Sequence, residues 1–164
     1  MKYYLIDTSA FVFSIENMKS TQMDFFVEKA KGEAFLYMPQ FCVTEVFNTY
    51  ARKFYEENTI QADVYGKWRN AFTSAIHNRR ILYCYDLHRY HNLNAHKIYK
   101  LEHKGIPRSS EYDRLSGFDI LIIAMGMELK KVHAPNDVFI LTRDKRLKRI
   151  SNAHRDFAKA IWFE

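Results

Sequence analysis

Short apolar runs alternate with amphipathic stretches along this chain, and the alternation sets the expected architecture. Lys2–Ile6 (KYYLI) reads as a buried strand, and Asp7-Thr8-Ser9 opens a helix carrying Phe11, Val12 and Ile15. Met23, Phe26, Val27 and Ala30 repeat at helical spacing, which predicts a helix over about 21–31 with Gly32 as its stop. Residues 34–38 form the second expected strand, closed by Pro39, which cannot sit inside a central strand. A helix over about 40–57 turns Val43, Val46, Phe47, Tyr50 and Phe54 to one side, and Asn58-Thr59 ends it. The next, over about 60–77, places Val64, Trp68, Ala71, Phe72 and Ala75 inward. A third strand is expected over 80–85, then a helix over 87–103 with the imperfect stripe Leu87, His91, Asn94, Ile98 and Leu101. Residues 104–115 (KGIPRSSEYDRL) read as a long loop. An apolar helix over 116–131, a strand over 137–141, a short helix over 145–150 and an edge strand over 158–163 complete the pattern.

Strands separated by helices predict an α/β protein with helices on both sides of a mostly parallel sheet. Ligands in such sheets bind beyond the carboxyl ends of the strands. At 164 residues, one domain over 1–164 is expected, and a 48% hydrophobic content supplies its core. No apolar stretch approaches the roughly 20 residues that span a bilayer, and the N-terminus shows no signal-peptide pattern. Cys42 and Cys84 lie far apart in apolar settings, as buried free thiols in a reducing compartment. A membrane protein and a disulfide scaffold are thereby excluded, and a cytoplasmic location is expected. The net charge of +6 favours a polyanionic partner through counterion release. Residues 143–149 (RDKRLKR) sharpen that reading, with five basic residues around one aspartate.

The aspartate in that run is one of four acids in apolar or turn-rich surroundings: Asp7, Glu45, Asp119 and Asp144. Each has a local explanation. Asp7 and Asp144 sit where N-caps are expected, Asp119 is three residues after Ser116 as in a capping box, and Glu45 suits the positive end of a helix dipole. Local capping does not explain why Glu45 lies among Val43, Val46 and Phe47, or Asp119 among Phe118, Ile120 and Leu121. A carboxylate in apolar packing is costly unless compensated, and four acids gathered at one sheet edge would raise one another's pKa values. A divalent cation removes both penalties. Oxygen donors suit Mg²⁺ or Mn²⁺, as one or two ions, and no His or Cys adjoins any of the acids to favour zinc. Such an ion makes a coordinated water acidic enough to attack a phosphodiester. Ser9 and Thr142, each two residues from an aspartate, are candidates to orient these ligands or phosphate; a local turn or cap bond is the ordinary alternative. Arg143, Lys145 and Arg146 are candidates to contact the phosphates of the polyanionic partner, which the resemblance below makes RNA.

With these residues in view, the chain resembles the PIN-domain nucleases, and among them the VapC-like toxins of toxin–antitoxin pairs. The matching pieces are LIDTSAFV, PQFCVTEVFN, SGFDILIIAMGMEL and FILTRDKRL, spread over residues 5–147. The resemblance implies a PIN-like three-layer α/β/α sandwich and a Mg²⁺- or Mn²⁺-dependent endoribonuclease. It gives Asp7, Glu45, Asp119 and Asp144 catalytic and metal-ligating roles, and implies a homodimer and a small antitoxin that inserts a segment near the site. Many relatives carry a further acid shortly after the fourth, where this chain has Lys145 and Arg146, which bears on the second ion.

Other constellations point elsewhere. His88, His91, His96 and His103 fall on one expected helix without an acid or cysteine at ligand spacing, and read as a solvated or RNA-facing side. Arg52, Lys53, Lys67, Arg69, Arg79 and Arg80, with Tyr55, Tyr65 and Trp68, read as solvated charge and core aromatics more readily than as an RNA path. Two rival functions stand beside the nuclease. One is a PIN-like RNA-binding or RNA-processing factor with little or no catalysis. The other is a phosphatase forming an aspartyl-phosphate on Asp7, which would need an aspartate where Ser9 stands.

Overall fold

The computed structural model describes residues 1–16, 32–78, 82–105 and 114–162. The helix expected over 21–31 and most of the 104–115 loop lie outside the described residues. In chain order the elements are β1 (Lys2–Ile6), α1 (Thr8–Glu16), β2 (Ala34–Pro39), α2 (Gln40–Tyr55), α3 (Ala62–His77), β3 (Tyr83–Tyr85), α4 (Arg89–Gly105), α5 (Gly117–Val132), β4 (Val138–Thr142), α6 (Lys145–Ala153) and β5 (Lys159–Trp162).

The strands form one sheet in the order β3-β2-β1-β4-β5, every neighbouring pair parallel. Helices cover the sheet as an α/β/α sandwich, which is why β1 and β4 read as nearly continuous apolar runs. Leu5, Ile6, Val138, Ile140 and Leu141 are buried. The chain runs outward from β1 through β2 to β3, then returns to pair β4 with the other side of β1. The β1–β4 boundary is therefore the topological switch point, where a crevice opens at the carboxyl ends.

Pro39 ends β2 opposite Tyr85 of β3 and directly precedes α2. α1 packs on α2 and on β4, and α2 packs on α3 and β2. Phe11, Phe47 and Tyr50 converge on Phe72, with ring centroids 4.9, 4.9 and 6.3 Å away. Phe72 fills the inward position of α3, and its neighbour Ala71, expected inward, is exposed because consecutive residues diverge by about 100° around a helix.

On the opposite face, α5 lies between α4 and β4 and buries residues around most of its circumference. Gly126 permits this approach: a Cβ there would stand 3.1 Å from the Ala158 Cβ and 3.2 Å from Ile140 Cδ1. The inward stripe of α4 is His91, Ile98 and Glu102, while Leu87 and Leu101 are exposed. His91 is thus inside, where the expected stripe puts it, and not on the solvated side read from the histidine spacing. Its Nδ1 accepts from the His88 backbone N–H at 2.9 Å, and its Nε2 meets Glu128 of α5. Glu102 accepts from the Leu115 N–H at 2.5 Å, tying the end of α4 to the start of α5. No described helix is long and apolar enough to cross a membrane.

Candidate metal centre

Asp7 stands one residue past β1, and its backbone N–H donates to Leu141 of β4 at 3.0 Å. That bond fixes it at the switch point. The residue is 7% exposed. Oδ2 accepts from Ser9 Oγ at 2.6 Å and from Thr142 Oγ1 at 2.8 Å. Each hydroxyl spends its single proton on Asp7 and accepts in turn from the β4–α6 turn. Ser9 Oγ takes the Arg143 N–H at 3.0 Å, and Thr142 Oγ1 takes the Asp144 N–H at 2.9 Å. The two candidate orienting residues therefore hold both Asp7 and the segment bearing the fourth acid.

Glu45 lies in the second turn of α2, where Thr8 Oγ1 donates to its Oε2 at 2.6 Å. Cys42, one turn earlier on the same face, brings its Sγ within 4.8 Å of carboxylate oxygens of Asp7 and Glu45. Burial pushes that thiol well above its ordinary pKa, a Thr8 hydrogen bond opposes the shift, and the Asp7 and Glu45 charges add to it. The thiol is therefore protonated in the metal-free protein, which leaves the two carboxylates as the charged donors of this group.

Asp119 is the reciprocal partner of Ser116 at the start of α5. Its Oδ2 accepts from the Ser116 N–H at 2.8 Å and from Ser116 Oγ at 2.7 Å, while the Asp119 N–H donates to Ser116 Oγ at 3.1 Å. The local capping reading of Asp119 holds, and the same side chain also lines the crevice.

Asp7, Glu45 and Asp119 border one pocket of about 420 Å³, together with Thr8, Ser9, Asn48, Thr49, Arg52 and Phe118. Asp144, Thr142, Arg143, Lys145 and Arg146 do not border it. Asp144 caps α6: Oδ1 accepts from the Arg146 and Leu147 N–H groups at 2.6 and 3.0 Å, and Oδ2 from Arg146 Nη2 at 3.1 Å. Partial burial alone would raise its pKa, but the Arg146 side chain and the two backbone donors outweigh it and hold the carboxyl below the usual range.

The three pocket acids differ from Asp144 in one respect. Among the described residues, each spends a single oxygen on hydrogen bonds and leaves the other without one. Burial raises the pKa of Asp7, Ser9 and Thr142 lower it, and the charges of Asp119 and Glu45 raise it further. A buried carboxylate short of partners beside two other acids, in a pocket whose lining cation Arg52 is already paired with Glu57, is an anionic site whose oxygen donors fit a hard divalent cation.

Read alone, the sequence leaves Thr8, Asn48 and Thr49 out of the site, and it makes Cys42 a buried free thiol and Arg52 solvated charge. The signal was present as spacing: Cys42, Asn48, Thr49 and Arg52 stand three before and three, four and seven after Glu45, on one helix face.

The five-stranded parallel sheet between two helical layers is a PIN-like α/β/α fold. The chain is similar in structure to one in "VapBC2 from Rickettsia felis bound to a DNA fragment from their promoter", with 15% identity, 99% of each chain covered and a TM-score of 0.64. It is similar to a chain of DNA-bound VapBC from Salmonella typhimurium, with 14% identity, 100% of each chain covered and a TM-score of 0.62. A chain of VapBC-1 from nontypeable Haemophilus influenzae aligns at 13% identity over 98% of each, with a TM-score of 0.57. No protein-family model and no curated protein matches the chain by sequence. Identities this low carry the fold, and function is argued from the site.

Proposed function

We propose that this chain is a metal-dependent endoribonuclease of a single PIN-like domain, acting in the cytoplasm as the toxin of a type II toxin–antitoxin pair. The observation that carries the reading is the trio Asp7, Glu45 and Asp119 on one rim pocket, each with an oxygen free of hydrogen bonds among the described residues. Asp7 and Glu45 would hold Mg²⁺ or Mn²⁺ directly, and Asp119, on the same pocket but outside their 4.8 Å cluster, would reach the ion through its retained waters. When bound, such an ion lowers the pKa of a coordinated water and stabilises charge on the leaving oxygen.

The chain's own residues supply the rest. Ser9 and Thr142 keep Asp7 turned into the crevice, and Thr8 does the same for Glu45. Arg52 lines the pocket while paired with Glu57 at 2.9 Å, so it offers a partly neutralised cation to a phosphate. Asp144 would join the ligands only by releasing Arg146. The likeness to chains of VapBC structures supports a small antitoxin as partner. A homodimer follows from the family resemblance and is part of the same reading.

The test is cleavage of end-labelled RNA by the purified protein in EDTA, Mg²⁺ and Mn²⁺, beside Asp7→Asn and Asp119→Asn. Cleavage that requires metal and disappears in both folded variants supports the assignment. RNA binding without cleavage, insensitive to either substitution, would replace it with a non-catalytic RNA-binding factor. A small upstream reading frame whose product suppresses cleavage would support the toxin role.

A further inference from the structure

We propose that the rim beside the acidic pocket is a track for single-stranded RNA, in which a base stacks on Trp162 and Lys145 and Lys148 hold the adjoining phosphates. The choice of RNA as the polyanion rests on the nuclease reading above. Trp162 is the last residue of β5 and pairs in register with Thr142, the residue whose hydroxyl holds Asp7. Two strand spacings separate β5 from β1, so the indole stands on the same carboxyl rim, roughly 10 Å along the sheet from Asp7.

Two further pockets connect these points. One of about 330 Å³ shares Thr8, Ser9 and Thr49 with the acidic pocket and adds Phe13 and Arg143. The other, of about 420 Å³, is bordered by Trp162, Lys145, Lys148, Arg149 and Asn152. Arg143 joins them: its guanidinium carbon lies 3.6 Å from the Phe13 ring centroid and 5.8 Å from that of Trp162. Lys148 Nζ lies 5.9 Å from the Trp162 ring.

Arg143, Lys145 and Lys148 have no carboxylate ion pair among the described residues. Their charge is available to phosphate. Aromatic faces interleaved with such cations are the means by which proteins bind unpaired nucleic acid, because every base has a stackable face and every nucleotide a phosphate. A duplex keeps its base faces inside the stack, so the geometry selects single strands. An acidic peptide would use the cations and gain nothing from the ring.

The experiment uses the full chain and a short fluorescein-labelled oligouridylate, with affinity read by anisotropy in EDTA across a salt series. Trp162→Ala is expected to weaken binding roughly tenfold with the salt slope unchanged. Trp162→Phe should retain most of the affinity. Lys148→Ala should reduce the log–log salt slope by about 0.7, one phosphate contact to a single strand. Lys131→Ala, at the far end of α5, should change neither. In a Trp68→Phe background Trp162 is the sole tryptophan, and its emission should quench as RNA is added.

Wild-type affinity in folded Trp162→Ala, or an unquenched Trp162, would overturn the track. So would equal binding of the pre-annealed duplex, or equally effective competition by polyglutamate, which would mark a surface for acidic protein. Cleavage of the same RNA in Mn²⁺ separates the two proposals. RNA held through Trp162 but left uncut would sink the nuclease and keep the track. Cutting with an unchanged KM in Trp162→Ala would do the reverse.

Discussion

Replacing Asp7 by Asn should stabilise the metal-free protein and remove its response to divalent cations. Both hydroxyl donors to Asp7 reach the same oxygen, Oδ2. An Asn with its carbonyl oxygen there keeps both bonds, and its amide nitrogen replaces the oxygen that has no hydrogen bond among the described residues. What changes is charge. Weakening two charge-assisted bonds to neutral ones costs roughly 2 kcal/mol. Relief from burying a carboxylate is worth several kcal/mol, and repulsion from Glu45 and Asp119 falls as well. The balance favours Asn by about 1–2 kcal/mol, or about 2–8 °C in Tm for a chain of this length. Saturating metal reverses the order: an ion at a hundredfold excess over its Kd stabilises wild type by about 2.7 kcal/mol, and the variant gains little. Thermal unfolding followed by circular dichroism, in EDTA and then in Mn²⁺, reads both effects. A lower Tm for Asp7→Asn in EDTA would show that the carboxylate serves the fold outright. Equal Mn²⁺ shifts in the two proteins would place the ion elsewhere.

Thr8→Val removes the hydroxyl on Glu45 and should weaken Mn²⁺ affinity by about 10–100-fold, read by calorimetric titration; an unchanged Kd would contradict the role given to Thr8. Ser116→Ala deletes the cap of α5 and should cost about 1 kcal/mol in urea unfolding, with a loss below a few tenths counting against the capping box as a real contributor. Burial lowers the pKa of His91, the Glu128 charge opposes that shift, and His88 adds to it. The folded protein therefore keeps this imidazole neutral where the unfolded chain would protonate it, so stability is full above about pH 6.5 and falls as pH drops below that value. The slope should reach at most about 1.4 kcal/mol per pH unit. His91→Gln should flatten it, and an unaltered slope in urea midpoints from pH 7.5 to 5 would assign the loss to other groups.

The sheet and the rim position of the acids were legible because their causes are local. β1 is an unbroken apolar run ending at a helix-starting Asp-Thr-Ser, and β4 ends the same way at Thr-Arg-Asp. Parallel pairing then puts both ends on one edge. What was hidden depends on partners far away in sequence. Thr142 meets Asp7 across 135 positions, and nothing local shows that this hydroxyl and that of Ser9 take the same oxygen. The stripe of α4 was misread in part for a related reason. Periodicity puts His91 and Ile98 inside, as found, but it also puts Leu87 and Leu101 there and omits Glu102, which goes inside with the Leu115 N–H of another segment as its partner, as His91 does with Glu128. A buried acid such as Glu102 cannot be read from apolar spacing, since its stability lies in the partner.

The same distinction sorts the four acids. Asp144 keeps both oxygens occupied by its own helix and by Arg146, two residues on, so its charge is balanced within one turn. Recruiting it to a cation would sacrifice three bonds to a charged group, each worth roughly 1.5–3 kcal/mol, and would uncap α6. Asp7, Glu45 and Asp119 have no such local balance. Their partners are hydroxyls and one backbone N–H, which orient a carboxylate without neutralising it. The rim therefore separates its charge among the described residues: acids without an ion pair in the pocket at the switch point, and on the β5 side aromatic faces with Arg143, Lys145 and Lys148, which have no carboxylate ion pair. A phosphodiester chain laid along that edge would meet cations that hold it before reaching acids that would repel it without a metal ion. Binding and cleavage should accordingly be separable by metal removal, with RNA affinity retained in EDTA and cutting lost.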